Sequence, residues 1–233
     1  MTTTQQHATT TVDVPSVHAT IGHVAMHYRP GDEAPARRLF DLLGCTLVDN
    51  GPDPGNDGFC SIVVSGDDWN YVDDMLYLSK ASAQQVALDD AVADALGAGG
   101  DDPHPALTAW EDLRGEWPET ATHVGIRFRS LDDVERAVAA VQSAGAPGGE
   151  LEGRVSVSWF RARKGKLPEI DARMEASPVF GDDDRSAFSD FGVQCFVRTN
   201  LFAAGLLTFG QLIELDYYFD PAFVAPPSYG GSA

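Results

Sequence analysis

Two histidines and one glutamate carry the strongest chemical signal in this sequence. His23 opens "HVAMHY", His123 opens "HVGIRF", and Glu214 stands in the middle of "GQLIELDYYF". Two neutral imidazoles and a carboxylate make the facial donor set that suits Fe(II) and also accepts Mn, Zn, Co or Ni, with positions left for water and substrate. Placing a carboxylate inside an otherwise apolar strand is costly unless it is paired, hydrogen-bonded or bound to a metal, so Glu214 needs a partner. Three further side chains are catalytic candidates. His27 lies on the His23 face of its strand and is a candidate base or proton shuttle. Asp216 and Tyr218 share the Glu214 face and can orient a ligand or a substrate.

The elements that must position these residues come in two similar rulers. After His23 a helix-like stretch, "DEAPARRLFDLLG", stops at Gly44, 21 residues on; after His123, "LDDVERAVAAVQSAG" stops at Gly145, 22 residues on. Val134, Val138 and Val141 keep helical spacing in the second. The period-2 rule puts Val24 and Met26 on one face of the first strand, with His23, Ala25 and His27 on the other. In the second strand Val124, Ile126 and Phe128 oppose His123, Gly125 and Arg127. The apolar faces belong under the helices, which leaves both histidines on the opposite, concave side. If the halves pair about a pseudo-two-fold axis, His23, His123 and Glu214 converge there.

Strand candidates "CTLVDNG", "FCSIVVSG" and "DDMLYLSKA" follow the first helix, giving a β-α-β-β-β order. "GRVSVSWFRAR", "FGVQCFVRT" and "GQLIELDYYF" follow the second, the first two separated by an irregular insertion at about 161–188 that reads equally as a flap over the site or as a surface loop. The expected organisation is a disordered leader (1–17), a first module (18–80), a helical connector packed outside the sheet (81–118), a second module (119–220) and a Pro/Gly-rich tail (221–233). The basic run "RARKGK" reads first as a solvated hairpin tip, and second as an attractor for an anionic substrate group.

Composition narrows the partners. The 233 residues are 43% hydrophobic, enough for a real core, and carry a formal net charge of −19, with pI near 4.4. Such a charge repels phosphate backbones and anionic lipid, so neither nucleic acid nor membrane is an expected partner. Cys45, Cys60 and Cys195 fit neither a disulfide framework nor a CxxC zinc site and read as core residues. No run approaches a membrane span and no secretory signal opens the chain, which points to the cytoplasm. A P-loop, a GxSxG and a strand-to-helix GxGxxG are all absent.

The doubled His-Val-small opening, the βαβββ order and the terminal "LIEL" together resemble the vicinal oxygen chelate superfamily, which includes glyoxalase I, the extradiol dioxygenases and the bleomycin and fosfomycin resistance proteins. The resemblance spans residues 19–220. It implies an α+β fold of two βαβββ modules forming a cupped mixed sheet with helices outside, and a metal ligand from each opening strand and from a module's last strand: His23, His123 and Glu214. The first module offers only Met75 and Tyr77 where a fourth ligand would stand, so a three-ligand site is expected. The extradiol enzymes also carry, shortly before the glutamate, a further histidine that is not a ligand and a tyrosine followed by Asp-Pro, and neither occurs in "CFVRTNLFAAGLLTFGQLIE". The implied function is metal-dependent chemistry on a small oxygenated substrate, with a dioxygenase ranked before an isomerase or lyase and Fe(II) before the other metals. A metal-free, small-molecule-binding protein of the resistance type is the alternative, and a homodimer is implied by resemblance alone.

Overall fold

The strand "HVAMHY" alternates as expected through its second half: Met26 and Tyr28 are buried while His27 is half-buried, and this stretch, His23–Tyr28, is β1. The computed structural model describes residues 22–49, 59–64, 75–181, 185–187, 189–203 and 211–219. The expected leader and tail lie outside the described residues.

Helix α1 (Glu33–Leu42) follows β1 and buries Ala36, Leu39 and Phe40. Gly44 ends it with φ of 80°, a left-handed conformation that costs glycine nothing and lets the Gly44 and Cys45 amides cap the last carbonyls of the helix. β2 (Thr46–Asp49), β3 (Cys60–Val63) and β4 (Met75–Lys80) complete the first module. The connector supplies α2 (Ala83–Ala95) and α3 (Pro105–Glu116), and a 3-10 turn at Pro118–Thr120 leads into β5 (His123–Arg127). α4 (Leu131–Gly145) is capped by Ser130 and buries Val134, Val138 and Val141. β6 (Val155–Phe160), α5 (Pro168–Glu175), β7 (Gly192–Thr199), β8 (Phe202–Ala203) and β9 (Gln211–Tyr218) follow. Gly145 is the last residue of α4 rather than a left-handed stop. Its role is close approach, since a Cβ there would stand 2.7 Å from the Val155 carbonyl oxygen.

The α+β class and the repeated βαβββ module are as the sequence implies. The four strands of the first module lie in the order β2-β3-β4-β1, and those of the second in the matching order β6-β7-β9-β5. In each, the opening strand runs parallel to the last, β1 with β4 and β5 with β9. Among the described residues the hydrogen bonding gathers the strands into two mixed sheets, of five and four. β1 and β5 do not pair with each other. The fifth strand of the first sheet is β8, two residues from the second module that pair antiparallel to β1, Phe202 with Tyr28 and Ala203 with His27.

The helix-covered faces of both sheets share one buried core, which joins Met26, Leu39 and Phe40 to Val138, Val197 and Leu215. All three cysteines are free and buried, as expected of core residues. Polar ties cross the module boundary: Arg154 holds Asp32 in a two-pronged ion pair at 3.0 and 2.7 Å, and Arg38 reaches Glu150 at 2.9 Å.

Two segments differ from expectation. The connector helix α3 covers the inner face of the second sheet instead of lying outside: Trp110 packs on a buried cluster containing Phe160, Phe196 and Leu212, and Glu111 accepts from Arg198 at 2.7 Å. The insertion contains α5, whose Ile170 and Met174 are buried and whose Arg173 pairs with Glu135 of α4. It is therefore docked on the helix side. Among its described residues, Arg185, whose guanidinium sits 5.0 Å above the Phe160 ring, and Ala187, in the Phe160 cluster, bring the insertion toward the inner face.

Candidate functional site

Parallel pairing of β5 with β9 sets His123 opposite Leu212 and Gly125 opposite Glu214. Alternation then places His123, Gly125 and Arg127 on one face with Glu214, Asp216 and Tyr218. Both carboxylates lean over the bare Gly125, where a Cβ would be 3.6 Å from Glu214 Oε2 and 3.8 Å from Asp216 Oδ2.

His123 and Glu214 meet, with Nε2 to Oε2 at 2.9 Å. The other ring nitrogen, Nδ1, lies 2.7 Å from the Ala121 carbonyl oxygen. A carbonyl only accepts, so Nδ1 carries the hydrogen, and a neutral ring turns the lone pair of Nε2 toward Glu214. Two acceptors at that distance need a proton or a cation between them. Glu214 is buried, and its Oε1 accepts from Gln194 Nε2 at 2.6 Å; the same amide reaches Glu119 at 3.2 Å. Phe196 closes the site from below, its ring edge-on to His123 at 5.8 Å.

Asp216 adds a second buried carboxyl. Burial first, and then the charge of Glu214 and a hydrogen bond with it, push this carboxyl up to about 8, with Arg127 pulling the other way. Both effects favour the protonated form of Asp216, whose proton faces Glu214. Its Oδ1 is buried with no hydrogen-bond partner. Arg127 stacks on the Tyr218 ring at 4.6 Å, and burial raises the Tyr218 hydroxyl above its ordinary value.

The other two expected residues stand on the first sheet. His23 is exposed and stacks on Tyr77 at 4.3 Å. His27 bonds Ser79 through Nδ1 at 2.9 Å. Among the described residues no group of three or more His, Cys, Asp and Glu side chains is assembled to hold a metal ion. As a pair, however, His123 and Glu214 fit a metal. The backbone carbonyl fixes the ring tautomer, Gln194 fixes the carboxylate, and the shared space calls for positive charge.

Gln194, Glu119 and Arg127 belong to this site and were not singled out from the sequence. The signal that marked Glu214 also marks Gln194, a polar side chain amid the apolar run of "FGVQCFVRT". The "RARKGK" run is spent structurally: Arg163 and Lys166 both pair with Asp190, at 2.9 and 2.7 Å, and Arg161 is buried. His104 caps α3, accepting from the Ala106 amide at 3.2 Å.

No protein-family model matches the chain, and no curated protein sequence matches it. Among solved structures it is similar to the crystal structure of glyoxalase/bleomycin resistance protein/dioxygenase from Alicyclobacillus acidocaldarius. That match has 15% identity and a TM-score of 0.36, and it covers 88% of this chain and 96% of that one. A likeness of that strength leaves the chemistry of the site to its own residues. No helix among the described residues is long and apolar enough to cross a membrane.

Proposed function

We propose that the chain is a divalent-metal-dependent enzyme of the vicinal oxygen chelate type, acting on a small organic substrate through two adjacent oxygens. His123 and Glu214 are the two ligands that the second module presents, and His23 is the third, from the first module. The observation that carries this reading is the 2.9 Å approach of His123 Nε2 to Glu214 Oε2 with Nδ1 already committed to a carbonyl. A bound ion supplies Lewis-acid polarisation of the substrate oxygens or, as Fe(II), O2 chemistry as well, so that dioxygenase action ranks before isomerase or lyase action. The protein's own part is to hold and place protons. Asp216, whose carboxyl is raised by burial and by the neighbouring Glu214, stands beside that ligand as the group placed to exchange a proton with an oxygen of the substrate. Phe196, Phe160 and Trp110 exclude water from the floor.

A second reading has its own observation. The stacking of His23 on Tyr77, away from the His123–Glu214 pair, suits a metal-free protein that binds an aromatic or apolar small molecule. Elemental analysis of untagged protein beside His123→Ala and His23→Ala separates the two. Near-stoichiometric metal that both variants lose supports the enzyme with its three ligands. No metal in the unmodified chain after reconstitution with Fe(II), Mn(II), Zn(II) and Ni(II) eliminates it.

A further inference from the structure

His123 and Glu214 stand on two different strands, and both are held from a third place. The 3-10 turn that ends the connector, Pro118–Thr120, runs directly into β5. It closes on itself: the Ala121 amide donates to the Pro118 carbonyl, and the Thr120 hydroxyl donates to the Trp117 carbonyl at 2.7 Å. Pro118 and Ala121, at its two ends, are buried. Two contacts leave this turn for the site. The Ala121 carbonyl oxygen stands 2.7 Å from His123 Nδ1, and Glu119 Oε1 accepts from Gln194 Nε2 at 3.2 Å. Gln194 passes the second contact on, since the same nitrogen donates to Glu214 Oε1 at 2.6 Å.

An amide nitrogen carries two hydrogens, and a carboxylate only accepts. Between two carboxylates, Gln194 gives one hydrogen to each, which fixes the end of the amide that faces Glu214. Its neighbours Val193, Cys195, Phe196 and Val197 are fully buried apolar residues. A polar side chain in such a row is costly unless its hydrogen bonds are made. Glu214 is thereby divided: Oε1 is taken by the amide, and Oε2 faces His123 Nε2 at 2.9 Å. A cation between ring and carboxylate meets one oxygen of Glu214, and the coordination position that the other would fill stays open for a substrate that chelates through adjacent oxygens.

We infer that Glu119 and Gln194 are positioning residues of the metal site: from outside both ligand strands they hold Glu214 as a ligand through Oε2 alone, while the same turn orients the His123 ring. The inference rests on the metal reading of His123 and Glu214 and extends it to the connector.

Co(II) is the probe, because its visible spectrum reports the geometry and donors around it. Metal-free protein is titrated with Co(II) as the unmodified chain, Gln194→Met, Glu119→Ala and Glu119→Gln. Arg173→Ala, which breaks the remote pair with Glu135 on the helix side, is the control for loosened packing. Gln194→Met keeps the length of the side chain and removes its donors. It is expected to weaken Co(II) binding about tenfold or more and to change the spectrum as Glu214 becomes free to turn both oxygens to the ion. Glu119→Ala should weaken binding by less, and Glu119→Gln should restore it, since an amide oxygen also accepts from Gln194. Glu119 is exposed, so its two variants carry the test even where Gln194→Met fails to fold. Arg173→Ala should melt earlier and bind Co(II) as the unmodified chain does. Unchanged affinity and spectrum in Gln194→Met overturn the inference, as does Glu119→Gln binding no better than Glu119→Ala, or a loss in Arg173→Ala as large as in Gln194→Met. In each of these outcomes the unmodified chain still binds Co(II) and the metal reading stands. If the unmodified chain takes up no Co(II), the metal reading falls and this inference falls with it.

Discussion

The two modules share a register, and their side chains part company on it. In the second, Glu214 lies opposite Gly125, two residues beyond His123; in the first, Tyr77 lies opposite Ala25, two residues beyond His23. Tyr77 therefore occupies the place of Glu214. The histidines behave accordingly: His123 points its Nε2 at a carboxylate, and His23 stacks on a phenol ring. The neighbours follow suit. Gln194 braces Glu214 through a hydrogen bond, while Phe59 leans on Tyr77 with ring centroids 5.2 Å apart. Asp216 lies opposite Arg127, and Ser79 opposite His27. One backbone arrangement thus serves a proton-rich polar pair in one half and an aromatic wall in the other. The scaffold sets where side chains meet, and residue type alone sets what the meeting does.

Three perturbations test that contrast. The largest effect is expected from Phe196→Ala, which empties a fully buried position under the second site and should cost about 3–5 kcal/mol in denaturant unfolding. Tyr77→Ala, in the half-buried wall of the first module, should cost about 1 kcal/mol. Equal costs would mean that the two inner faces are packed alike. Next comes Glu214→Gln against Tyr77→Phe in metal titrations of the apo protein. The first should weaken binding by about 100-fold or more and the second should leave it unchanged; a matching loss in both would remove the functional distinction between the halves.

The remaining contrast is in pH dependence. Asp216 has its folded value raised to about 8 from an unfolded value of 3.8. A carboxyl raised in this direction contributes its stability fully below the unfolded value and loses it as pH climbs toward the folded one. Asp216→Asn removes that loss. Between pH 4 and pH 8, melting of the metal-free variant should gain steadily on the unmodified chain. Parallel melting curves across this window would show that Asp216 is ionised throughout.

Much of this was legible in local pattern. "LDDVERAVAAVQSAG" is α4 to the residue, because valines at helical spacing and a serine cap agree on one answer. Alternation in "GQLIELDYYF" put Glu214, Asp216 and Tyr218 on one face, and β9 pairs accordingly. Less was legible where the deciding partner is remote in sequence. α5 has only Ile170 and Met174 to mark its buried side, and its reason to form is α4, some thirty residues earlier. The packing of α3 on the inner face depends on Arg198 reaching Glu111, a pair 87 residues apart. For His23, a strand rule fixes the face but not which neighbour the ring chooses there. Tyr77 opposite Ala25 follows from a parallel register that no local pattern encodes.

β8 has a consequence for synthesis. One edge of β1 pairs with β4, and the other with Ala203 and Phe202. A ribosome must therefore add more than 170 residues after β1 before that second edge can be closed. Throughout that interval the nascent first half offers an open strand edge to any other chain nearby. A gene cut between the modules would make this transient exposure permanent, so the two halves, however alike in topology, are bound to be made together.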